Sequence, residues 1–209
     1  MTDTVAPVQT TAVPTLPRPG RWCVAAAVVG VAQGAAVLAW PHQVAADRFS
    51  FPFTSTGHVV AQGTFFLQHL PLVVAVAALG ALPAGHRQSA VRRGLVAGAV
   101  GLGLLALMEL VAMSAATTGE DSTLGVLISS LYSIPVLLTG LGLLVAGVVS
   151  VRRHVLGRLV SWTLAALGAF VFVGLVPVLA SDSFVGGRLA IMVWMALFGL
   201  LGWGMQRQR

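Results

Sequence analysis

The sequence predicts an all-α protein, a polytopic bundle of six transmembrane helices. Three observations predict it. The chain of 209 residues is 57% hydrophobic and 9% charged, with a mean hydropathy of +0.92, whereas soluble domains are about 45–50% apolar and about 25% charged. Mostly apolar runs of the length needed to cross a hydrocarbon core, about 20 residues, recur six times along it. The polar segments between those runs alternate in charge, as the two sides of a membrane protein do.

Residues 1–21, "MTDTVAPVQTTAVPTLPRPGR", contain four prolines and no helical period. They predict a disordered tail. The first run, about residues 22–40, has the arginine flank of a secretory signal peptide. It is as long as a full span and five more follow, so an uncleaved first helix is expected. The other spans fall at about 59–84, 94–116, 124–150, 158–180 and 187–205, so the membrane domain covers residues 22–205. A large connection, 41–58, follows the first span, and residues 206–209 form a short C-terminal tail.

All 12 basic residues are arginine. Ten of them (Arg18, Arg21, Arg87, Arg92, Arg93, Arg152, Arg153, Arg158, Arg207 and Arg209) fall on one side. The other side holds Asp47, Arg48, Glu120, Asp121, Asp182 and Arg188. Positively charged loops remain cytoplasmic, so both termini are expected in the cytoplasm, with the protein multi-pass in the plasma membrane. Trp22, Trp40, Trp162 and Trp203 lie near helix ends, where indole rings prefer the headgroup layer. The net charge of +6 is distributed among apolar runs rather than on one solvated face, which excludes a nucleic-acid partner. The partner expected is the bilayer, with a protein partner or a homo-oligomer left open. The single Cys23 reads as a small buried hydrophobe.

The connection 41–58, "PHQVAADRFSFPFTSTGH", alternates Phe49, Phe51 and Phe53 with polar residues. It reads as an extended or interfacial segment at the headgroup layer, and equally as a lid packed over the bundle or as a ligand-contacting loop. Close-set small residues in "GLVAGAVGLGLL" and "LTGLGLLVAG" predict faces where helix backbones approach each other in lipid.

The polar residues within the spans carry what functional signal there is. Ionisable groups in a membrane are costly and face the bundle interior or a water-filled cavity. His69 lies about 15 Å along helix two from its outer end, and Glu109, Tyr132 and Gln33 about 10–12 Å from the outer ends of theirs. Four polar groups on four helices are thus expected in one layer. His58, Gln62, Phe65 and His69 fall within a stripe about 60° wide on helix two. Pro71 and Pro135 free the carbonyls of Leu67 and Leu131, which would favour hydration there. A polar pocket of His69, Glu109, Tyr132, Gln33, Gln62 and His58 is therefore expected, against the plainer reading of interhelical hydrogen bonds that only hold the helices together.

These residues suit a small transporter or channel-like component, with Glu109 and His69 as a proton-linked site. The alternative is a non-catalytic membrane partner or scaffold whose polar layer specifies packing. A haem or copper protein using His58 and His69 with Met108 or Met113 fits less well, because the histidines lie on one helix about 16 Å apart. No cofactor and no metal site are expected, and no catalytic residues stand out: HExxH, GxSxG and paired intramembrane aspartates are all missing. The stretches "AWPHQ", "FFLQHLPLVVAVAALGAL" and "LLALMELVA" resemble a broad group of uncharacterised six-helix integral membrane proteins of high-GC actinobacteria. The resemblance covers helices one to three and implies a membrane bundle without implying an activity.

Overall fold

The computed structural model describes residues 17–83, 88–181 and 183–207. Six helices are long and apolar enough to cross a membrane: α1 (Pro17–Ala39), α2 (Ser55–Gly80), α3 (Ser89–Ala112), α4 (Thr123–Arg153), α5 (Arg158–Leu179) and α6 (Phe184–Gln206). A short 3₁₀ turn, Met113–Ala115, extends α3, and a π turn, Val171–Leu175, interrupts α5. The chain is an integral membrane protein by this measure. Helix α1 starts five residues before the expected first span, with Pro17 at the first helical position, where its missing N–H costs nothing. The expected tail 1–21 is therefore helical from Pro17 on, and residues 1–16 lie outside the described residues. At the other end α6 runs through Gln206, the first residue of the expected C-terminal tail.

The helices follow one another around a ring. Each packs on its neighbours in sequence, and α6 closes against α1. One face of the bundle carries the connections that follow α1, α3 and α5; the other carries the start of α1 and the end of α6. We call these the loop face and the terminal face.

Each helix that starts at the loop face is capped in the same way. The Thr54, Ser122 and Ser183 hydroxyls accept from the backbone N–H of Gly57, Gly125 and Gly186 at 3.1, 3.0 and 3.1 Å. A Ser or Thr cap satisfies one of the orphan donors of a first turn, and the glycine three residues on recurs in all three. At Gly125 the reason is steric: a Cβ there would stand 2.6 Å from the Glu120 carbonyl oxygen. This Ser/Thr-x-x-Gly signature is legible in the sequence and sets α2 four residues earlier than the apolar run does.

The seams between helices are made by glycines. A Cβ on Gly20 of α1 would lie 2.7 Å from the Gly202 carbonyl oxygen of α6, and one on Gly94 of α3 would lie 2.6 Å from that of Gly142 in α4. In lipid, close backbone approach of this kind replaces the hydrophobic driving force that joins helices in water. Leu72, Leu79, Leu95, Leu102, Leu143, Leu164 and Phe198 fill the centre with almost no exposure. Cys23 is buried at the α1–α6 seam and donates to the Phe198 carbonyl at 3.2 Å. Trp22, Trp40, Trp162 and Trp203 are all exposed near helix ends, and the Arg207 guanidinium covers the Trp203 ring at 4.3 Å.

Candidate functional site

The connection after α1 is a lid. Its turns are closed internally by Gln43 N–H to the Pro52 carbonyl (2.9 Å) and Phe51 N–H to that of Arg48 (2.9 Å). It is also stitched to the α3–α4 connection, where Phe49 N–H donates to the Thr118 carbonyl (3.1 Å) and Glu120 N–H to that of Asp47 (2.7 Å). The phenylalanines turn inward: Phe49 meets the His58 ring edge-on at 5.7 Å, Phe51 meets Phe184 of α6 at 5.0 Å, and Phe53 packs on Trp40 at 5.4 Å. Within residues 41–58 the chain is thus packed over the bundle as a lid, because the three aromatic rings find partners in it. The loop also ends at Thr54, so His58 stands in the first turn of α2 rather than in the loop.

Beneath this lid lies a buried acid. The Tyr132 hydroxyl of α4 donates to Glu109 Oε2 of α3 at 3.0 Å. The two helices are antiparallel neighbours joined by a short connection, and Cβ atoms lean toward the N-terminus of their own helix. Glu109 therefore leans away from the loop face and Tyr132 toward it, so the side chains meet between their levels. Glu109 is 8% exposed, which is little for a carboxyl group.

Arg188 joins this layer. Charge placement alone put it with the loop residues of the far side; the structure seats it in the second turn of α6, half-buried, with its guanidinium 5.5 Å from the Phe184 ring centre. Its charge is within electrostatic reach of Glu109, Tyr132 and His58. The cue in the sequence was its position as the one arginine falling inside the expected last span, 187–205.

His58 and Gln62 border the acid. His58 Nε2 lies 3.2 Å from the Ala112 carbonyl oxygen at the end of α3. A carbonyl can only accept, so Nε2 carries the proton. The Gln62 amide is 3.4 Å from the same nitrogen, and its Oε1 finds no partner among the described residues. His58 thereby ties α2 to the last turn of α3.

His69 stands apart. Its Nδ1 bonds the Phe65 carbonyl of its own helix at 2.8 Å. His58 is level with Ala112; His69 lies 11 residues further along α2, about 16 Å, and Glu109 only three residues from Ala112, about 4.5 Å. The two are therefore separated by about 12 Å along the bundle axis, and the expected meeting of His69 with Glu109 does not occur. The earlier start of α2 supplies about 6 Å of this separation and sets His69 nearer mid-membrane. There Gln68, outside the expected pocket, bonds the Ala26 carbonyl of α1 (3.3 Å) and Met195 Sδ of α6 (2.9 Å). Gln33 is half-buried on α1, with an Oε1 that finds no partner among the described residues. Pro71 and Pro135 stand within α2 and α4, and the side chains of Leu67 and Leu131 are exposed on the perimeter.

The expected single pocket is thus resolved into two layers. Near the loop face are Glu109, Tyr132, Arg188, His58 and Gln62; near mid-membrane are His69 and Gln68. Among the described residues no three of His, Cys, Asp and Glu lie close enough together to hold a metal ion. In comparisons with family models, curated proteins and solved structures, nothing matches this chain.

Proposed function

We propose that this integral membrane protein is a small proton-linked carrier, or the solute-binding subunit of one, that moves protons with a small polar solute from the loop face through the Glu109–Tyr132–Arg188 layer. One observation carries the reading: an acid is buried within the bundle and bonded by the Tyr132 hydroxyl, with the half-buried Arg188 in the second turn of α6 as the nearby cation. Intramembrane ionisable groups are costly and usually mark solute or ion pathways. The lid and the Phe51–Phe184 contact close this layer from the loop face, as an occluded site requires. The arginine bias supports cytoplasmic termini in the plasma membrane, with the loop face outside.

The test is proton flux into vesicles that hold the purified protein and an internal pH dye, under an imposed pH gradient. Wild-type protein is expected to dissipate the gradient faster than empty vesicles, and Glu109→Gln to return the rate to background. A wild-type rate equal to that of empty vesicles overturns the proton-linked carrier.

A second reading, a non-catalytic partner subunit, is favoured by a different observation: His58 and His69 both spend a ring nitrogen on helix carbonyls, which is how packing residues behave. On that reading Glu109→Gln changes stability and leaves flux untouched.

A further inference from the structure

Two shallow clefts run along α3 from the terminal face, one on each side of the ridge formed by Arg92, Val96 and Val100. These residues are spaced four apart and so stand above one another on the helix. The cleft toward α4 is lined by Arg92, Arg93, Ala97 and Leu138 and has a volume of about 340 Å³. The cleft toward α2 is lined by Arg92, Val73, Ala77 and Gly80 and has a volume of about 440 Å³. Each volume is many times the share of one water molecule, about 30 Å³. From Arg92 to Val100 the clefts extend about 12 Å, most of one leaflet of a hydrocarbon core about 30 Å thick.

Arg92 and Arg93 are both exposed at the mouth of these clefts. They occupy the first turns of a 24-residue helix whose N-cap, Gln88, makes no side-chain capping bond. Free N–H groups and the positive end of the helix dipole therefore lie at the same end of α3 as the two arginines. Cationic groups at the membrane surface above a forked apolar floor are complementary to one kind of molecule: an anion with two hydrocarbon tails. A partner helix would fill one groove and leave the ridge and the second groove bare.

We infer that α3 carries a binding site for a diacyl anionic phospholipid, with the headgroup phosphate held by Arg92 and Arg93 and one acyl chain in each cleft beside Val96 and Val100. This site is independent of the Glu109 layer, which lies toward the opposite face. A charge bias alone would not single it out, because Arg152 and Arg153 form a similar exposed pair on the same face. That pair, however, lies in the last turn of α4, where the helix dipole already attracts cations.

The experiment is native mass spectrometry of the whole protein released from detergent after incubation with phosphatidylglycerol or with phosphatidylcholine of the same chains. Phosphatidylglycerol is expected to remain bound to the wild type and phosphatidylcholine to be lost. Arg92→Ala with Arg93→Ala should weaken phosphatidylglycerol retention by about 30-fold, a factor of about five for each arginine, whereas Arg152→Ala with Arg153→Ala should leave it within about twofold of wild type. Ala97→Phe, which fills one cleft and leaves the charges in place, should also reduce retention. Glycerol phosphate, which lacks tails, should not displace the lipid. Equal losses from the two arginine pairs, equal retention of the two lipids, or displacement by glycerol phosphate would each overturn the proposal.

Discussion

The contact that organises the loop-face layer can be measured by a double-mutant cycle on Tyr132→Phe and Glu109→Leu. Tyr132→Phe removes only the hydroxyl that donates to Glu109 Oε2 at 3.0 Å and leaves a buried acceptor unpaired, a loss of about 1–3 kcal/mol. Glu109→Leu leaves the phenol unpaired and removes the charge facing Arg188; the double variant removes both partners at once. The coupling between the two positions isolates the bond. Interhelical polar pairs in membrane bundles average about 0.6 kcal/mol and reach about 1.7. A separation of 3.0 Å is at the long end for O–H···O, about 2.5–3.0 Å, so we expect a coupling of about 1 kcal/mol rather than the maximum. That corresponds to about a fivefold change in the folded-to-unfolded ratio. The assay is reversible unfolding in mixed micelles followed by near-ultraviolet circular dichroism on all four proteins. A coupling below about 0.3 kcal/mol, the scatter expected for independent sites, would show that Tyr132 and Glu109 do not bond and would remove the core of the proposed solute site.

Three further outcomes follow from the packing. Gly94→Ala places a Cβ 2.6 Å from the Gly142 carbonyl oxygen and should destabilise the protein by about 1–3 kcal/mol; Gly103→Ala, with nothing within 4 Å, should be neutral or slightly stabilising in the same unfolding assay. Phe51→Ala removes the aromatic contact with Phe184, worth about 0.5–1.5 kcal/mol, so trypsin should cut the lid at Arg48 about 2- to 10-fold faster. Single cysteines at Thr117 and Ser89, both exposed on opposite faces, should react with an impermeant maleimide from opposite sides of the cell membrane, Thr117 from outside. Cys23 is buried and should stay unlabelled in both.

Errors in reading the site from sequence trace to helix ends. Apolar content alone starts helix two near Val59, but the Thr54 cap starts it at Ser55. Four residues are about 6 Å along a helix, and an offset of that size helps move His69 out of the layer in which Glu109 was expected. The pairing of Tyr132 with Glu109 was within reach because their helices are joined by a short connection and their expected depths agreed. Arg188 was missed although it falls inside the expected last span, because charge counting assigns a residue to a side of the membrane and says nothing about the direction in which its side chain turns.

What the sequence determined by itself is the number of spanning helices, their approximate extents and the face on which the arginines collect. These follow from transfer free energies that add along each run and depend little on neighbouring helices. Only the tertiary structure decided which polar groups meet: the rotation and level of each helix about the ring, set by glycine seams and by a lid anchored through Phe49 and Phe51. In lipid the apolar surfaces of the helices are nearly equivalent to the solvent around them, so close packing and a few polar contacts, rather than hydrophobic pattern, choose the faces that turn inward. That choice joined Tyr132 to Glu109 and left His69 on a separate level.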